Sequence, residues 1–169
     1  TAASVRLQLI PAVKAGVSLG FDPIILALDA VNIRQLELVR ESKICIVGKI
    51  TSPSREIKIQ ESLFEKTVQV VDFLRLKNIP LIVNYCDHLA IKKDPIGCLN
   101  QYLLRMADHV VFPCTAMAEL AEEWIRDKQS FSIIEDPWQV NKLPYNILEA
   151  GKTHRIIWFG STVNIPYLI

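Results

Sequence analysis

The chain has 169 residues, enough for one domain or for one domain with part of another. Nineteen Lys and Arg balance eighteen Asp and Glu, and a net charge of +1 gives no global basic footprint for nucleic acid, although a local basic patch for a peripheral membrane contact fits within that balance. Half the residues are hydrophobic with mean hydropathy +0.24, which predicts a sheet covered on both faces, and the apolar runs stop far short of the ~20 residues of a transmembrane helix.

Val5, Leu9, Ala12, Val13 and Val17 mark one face of an opening helix over 3–19, closed by Gly20 in the favoured C-terminal position. "DPIILAL" reads as a buried strand, "AVNIRQLELVRES" as a helix, and "KICIVG" as the next strand. A long helix follows, with Pro53 suited to its first position after Ser52 and Asn78 ending it. "IPLIV" is a strand and "NYCDHLAIKKDP" its loop. Next come a short helix in "IGCLNQYLLRMA" and the strand "DHVVF". Thr115 can cap a helix whose Met117, Leu120, Ala121, Trp124 and Ile125 have the cleanest amphipathic spacing in the chain. "SFSIIE" is one more strand. Alternation of this kind predicts an α/β fold with a doubly wound parallel sheet.

The stretch "DPWQVNKLPYNILEAGKT" has poor periodicity and reads as a linker. "HRIIWFGSTVNIPYLI" then starts a new strand, turn and helix. The expected organisation is a first domain with linker over 1–150 and the beginning of a second α/β domain over 151–169, in a chain that continues further. The opening residues lack the features of a signal peptide. Four cysteines, at 45, 86, 98 and 114, include no C-x-x-C pair and read as reduced thiols of a cytoplasmic protein.

Several motifs fail on spacing. "VGKIT" is no phosphate loop, because position 43 is Lys and Ile50 follows Lys49. Lys49 still stands at a strand's carboxyl edge, where it can touch a ligand. Cys114 precedes a helix, but a cysteine phosphatase loop wants Arg where Leu120 stands. No H-x-x-H or H-E-x-x-H spacing exists, so no metal is expected. His109 and His154 adjoin strand starts, away from the usual ligand edge. A receiver-like signalling domain would want a Lys where "FPCT" stands.

Cys86, Asp87 and His88 lie side by side where α/β sheets bind ligands. Successive side chains in extended backbone alternate in direction, so the three cannot act as a linear triad. One or two of them facing a crevice is the expectation, with Asp87 and His88 as the candidates and Cys86 as packing. Gly160 and Ser161 follow the strand "RIIW", in a turn that allows close backbone approach to an anion.

The order of these segments adds a resemblance. "ASVRLQLIPA", "NYCDH" after a middle strand, "ADHVVFPCTAMAELAEEW", "SIIEDPWQV" and "RIIWFGSTVNIPYL" together resemble the N-terminal half of a GT-B type glycosyltransferase running into its C-terminal half. The resemblance implies two Rossmann-like domains across a cleft and transfer of a sugar from a nucleotide-sugar donor to an acceptor hydroxyl, with no cofactor or metal. It places Asp87 or His88 on the acceptor side, as positioning group or base. Arg6 then reaches the cleft from the first domain, and Gly160, Ser161 and Asn164 from the second, while Lys49 stays a substrate-binding candidate at its strand's edge. The family's glycine-rich first turn is absent, and its glutamate-rich donor motif would lie beyond Ile169. The alternative is a non-catalytic α/β module of the same build, used for binding or assembly.

Overall fold

A computed structural model describes residues 10–28, 31–50, 52, 54–126 and 130–135. The expected linker and second domain, with Gly160, Ser161 and Asn164, lie outside these residues, as does Arg6. Within them the chain forms α1 (Ile10–Ser18), α2 (Ile33–Leu38), β1 (Cys45–Val47), α3 (Ile57–Leu76), β2 (Leu81–Asn84), α4 (Pro95–Met106), β3 (His109–Phe112), α5 (Thr115–Leu120), a 3₁₀ turn (Glu122–Trp124) and β4 (Ser130–Ile133). The strands make one parallel sheet in the order β1-β2-β3-β4. This is a mixed α/β fold. No helix among the described residues is long and apolar enough to cross a membrane.

Strand order explains which face is buried. Each β-strand is followed by a neighbour on the same side, and right-handed crossovers then carry the connecting helices to one face. Leu81, Val83, Val110 and Phe112 on that face are buried with Leu63, Val71 and Leu74 of α3 and Leu99, Leu103 and Leu104 of α4. The opposite face carries Ile82, Asn84, His109 and Val111, which are only half-buried, and Ile46, which is exposed. The expectation of a sheet covered on both faces is therefore met only in part by the described residues. Nor does the order reverse among the described strands, as a doubly wound sheet requires somewhere.

Three elements differ from the sequence expectation. Residues 22–27 form no strand, and Ile24 and Ile25 are exposed. An apolar run becomes a strand only when another strand pairs with it, and no described strand does so here. The long helix starts at Ile57, well after Pro53, because Ser52 Oγ accepts the Ser54 N–H at 3.2 Å and Ser54 Oγ accepts the Glu56 N–H at 3.1 Å. Such local hydroxyl bonds compete with helical ones. The amphipathic stretch after Cys114 splits into α5 and the 3₁₀ turn, and Thr115 is the first helical residue with Cys114 as its N-cap. The tighter turn buries Trp124 and leaves Leu120 exposed.

Helix ends follow local chemistry more closely. Asn32 caps α2 in a reciprocal capping box with Gln35, at 3.0 and 3.1 Å. Asp94 caps α4 by accepting the Gly97 N–H at 2.8 Å, and Pro95 takes the first helical position. Asn78 ends α3 at φ 54°. Its N–H bonds Arg75 O while the Ile79 N–H bonds Leu74 O, the two bonds of a Schellman motif. Buried Ile79 and Leu74 supply the accompanying apolar contact.

One clamp ties these parts together. Arg75, in the last turn of α3, grips both oxygens of Asp108 at 2.8 and 3.1 Å and also donates to the Met106 carbonyl. Asp108 Oδ2 in turn accepts the Leu81 N–H at 2.8 Å. Burial works to raise the Asp108 pKa, but the Leu81 N–H and the Arg75 guanidinium outweigh it and hold the carboxyl below its ordinary value of 3.8. We predict that Asp108→Asn lowers stability by about 1–2 kcal/mol, the lower part of the charged-bond range because the pair is partly solvated. Urea denaturation at neutral pH measures it. The folded pKa is depressed, so the stabilisation is complete above the ordinary carboxylate range. It fades as pH falls through the folded value. The gap between wild type and variant should therefore close in matched denaturations below about pH 4.

Candidate functional site

The parallel register brings the carboxyl ends of β1 and β2 together, with Val47 opposite Val83. A shallow depression opens there. Gly48 and Lys49 come from the end of β1, Asn84 to Asp87 from the end of β2, and Leu89, Asn100 and Leu103 from the loop and α4. Lys49 Nζ and an Asp87 carboxylate oxygen form an ion pair across it. Both side chains remain partly exposed. The sequence places Lys49 and Asp87 as separate candidates 38 positions apart, and the sheet joins them into one polar pair.

The loop after β2 is built from inside. Tyr85 extends the parallel pairing by donating its N–H to Val111 O at 2.9 Å, and its ring is buried. The Tyr85 hydroxyl accepts the Ala90 N–H at 3.0 Å, and Gln101 of α4 donates to the Ala90 carbonyl at 2.7 Å. Between these anchors the Leu89 N–H turns back to Asp87 O at 2.7 Å. The turn sends neighbouring side chains apart. Asp87 goes to Lys49, whereas His88 lies between Tyr85 and Trp124, with ring centroids 6.4 and 5.6 Å away. His88 does not line the depression, and Cys86 does. Cys86, expected as packing, thus lines the depression beside Asp87, and the turn takes only His88 away from it.

Sequence reasoning passed over Asn84, Tyr85 and Asn100. Asn100 is 5% exposed, and its Nδ2 donates to the Ile96 carbonyl at 2.8 Å. Its amide oxygen is then the group it can offer to the depression it lines. A polar residue on the apolar stripe of a helix is a signal of this kind, because a buried amide needs partners. Gly97 has a packing reason. A Cβ there would strike the Lys92 carbonyl, whose carbon would lie 2.6 Å away.

The remaining candidates are chemically quiet. Cys45 is half-buried beneath the sheet edge, and burial pushes its thiol up to about 11. Cys114 is exposed and caps a helix of only six residues. His109 sits at the opposite end of the sheet, with Ser130 Oγ 2.7 Å from Nδ1 and Ser132 Oγ 3.0 Å from Nε2. Among the described residues no cluster of His, Cys, Asp and Glu could hold a metal ion. Protein-family models, curated proteins and solved structures give no match to the chain.

Two predictions test this geometry. Gly97→Ala should destabilise the protein by about 1–3 kcal/mol through overpacking, seen in urea denaturation, although alanine is the better helix former. Alkylation at about pH 8 should label Cys98 and Cys114 first, with Cys45 labelled only on unfolding, as peptide mass mapping would show.

Proposed function

We propose that the chain is the acceptor-side part of a GT-B type glycosyltransferase, transferring a sugar from a nucleotide-sugar donor to an acceptor hydroxyl in the cytoplasm. The observation that carries this reading is the polar group Lys49, Asp87, Asn84 and Asn100 gathered at the carboxyl edge of a parallel sheet. Carboxylate, ammonium and amide groups suit a hydroxyl-bearing ligand, since each hydroxyl both donates and accepts. Asp87 is the group that would receive or orient the acceptor proton. Lys49 would be shared between Asp87 and the ligand. In this reading the sheet is Rossmann-like and doubly wound.

The donor half would come from the residues after 150, where Gly160, Ser161 and Asn164 would approach the leaving diphosphate. Charge developing on that group is stabilised by backbone N–H groups and basic side chains. Arg6 would add to them from the first domain. The second reading, a non-catalytic binding or assembly module, draws on one observation: Asp87 is engaged by Lys49 while His88 is turned to Trp124.

The test uses a chain extended through a complete second α/β half. It should bind one nucleotide sugar in a calorimetric panel and transfer from it, and Asp87→Asn should lower kcat by about 10²–10⁴-fold. Binding of no nucleotide sugar would end the transferase reading. Donor binding with turnover unchanged in Asp87→Asn would move the base elsewhere. The 169-residue chain alone should show no turnover.

A further inference from the structure

The Tyr85 hydroxyl has one hydrogen and two lone pairs. One lone pair accepts the Ala90 N–H at 3.0 Å. His88 Nδ1 is the remaining neighbour, at 3.3 Å. Two arrangements are possible in principle. If Nδ1 carried a hydrogen and donated it, N–H groups would occupy both lone pairs of the phenol oxygen. The phenol's own hydrogen would then be stranded beside a ring that is 97% buried. If the phenol donates to a bare Nδ1, the buried phenol hydrogen has an acceptor and the imidazole hydrogen moves to Nε2. Burial pushes the Tyr85 phenol up, so the hydrogen is present at all ordinary pH. Stranding a buried donor is the more costly choice, which selects the second arrangement.

We infer that Tyr85 is a positioning residue that holds His88 as the Nε2–H tautomer, so that the ring presents a hydrogen-bond donor at Nε2 rather than a base. Ring contacts with Tyr85, edge-on at 90°, and with Trp124 fix the plane of the imidazole. Among the described residues no group takes the Nε2 hydrogen. The ligand atom suited to it is an acceptor oxygen, such as a sugar hydroxyl, a carbonyl or a phosphate oxygen. This divides the neighbouring pair by chemistry and by place: Asp87 is an acceptor at the depression, and His88 is a donor beside Trp124. The ligand consequence rests on the transferase reading above, but the tautomer does not.

Two-bond ¹⁵N–¹H correlation spectra of the whole chain at about pH 8, where an ordinary imidazole is neutral, read the tautomer directly. His88→Gln assigns the signal. The Nε2–H form should exceed the other by up to about tenfold, the ratio that one ordinary hydrogen bond supports. Tyr85→Phe should shift the ratio toward the Nδ1–H form. A predominant Nδ1–H form in the wild type would overturn the inference, as would an unchanged ratio in a folded Tyr85→Phe protein. If that variant does not fold, the wild-type spectrum alone decides. In the extended chain, Tyr85→Phe and His88→Gln should lower kcat/KM by similar factors, and the double variant by no more than either. Absence of any transfer would remove the ligand consequence and leave the tautomer result standing.

Discussion

Asp108 is the point on which this fold turns. Its carboxylate meets the end of α3 through Arg75 and the start of β2 through the Leu81 N–H, and its own backbone leads directly into β3. Arg75 also reaches the carbonyl of Met106, at the end of α4. The backbone carbonyl of Asp108 accepts from Ser130 at the head of β4, and Arg126 donates to the adjacent Ala107 carbonyl. A helix end, a strand start and the turns before two further strands are thus fixed at one end of the sheet. Parallel strands locked at their amino ends bring their carboxyl ends level, and that is where ligands bind in such sheets.

The site inherits this order. β2 is held in register with β3, Ile82 opposite His109 and Asn84 opposite Val111, so Tyr85 can continue the ladder with its ring buried. A buried tyrosine needs a partner for its hydroxyl. Ala90 and His88 supply it, and the loop closes around them. The local turn then parts Asp87 from His88. The polar character of the depression therefore follows from apolar packing a few ångströms away. Lys49 completes it from the neighbouring strand.

Among the described residues, deeper burial of one sheet face is the other consequence of strand order. Successive right-handed crossovers in one direction place the helices together, and α3 and α4 pack on each other as well as on the sheet. Composition foretold a two-sided sheet, because the apolar fraction is high. Part of that apolar surface is instead exposed in the segment before β1, at Val17, Leu19, Phe21, Ile24 and Ile25, and at Ile44 and Ile46 around β1 itself.

By itself the sequence determined the local structure: four of its strands, the helix ends at Gly20 and Asn78, and the place of "NYCDHLA" at a strand's end. Each of these rests on contacts between near neighbours, on hydrophobic period and cap chemistry, which sequence spacing carries directly. Two local readings failed where neighbours competed, in the serine turns before α3 and in the 3₁₀ turn after α5. Only the tertiary structure decided the order of the strands, the covered face, the Arg75–Asp108 clamp and the meeting of Lys49 with Asp87. It also left "DPIILAL" unpaired among the described strands, though its composition suits a strand. These outcomes depend on contacts between residues dozens of positions apart, and no periodicity records such distances. Asp87 and His88, adjacent in the chain, part ways for the same reason: each is claimed by a partner from a different element, Lys49 beyond β1 and Trp124 beyond α5.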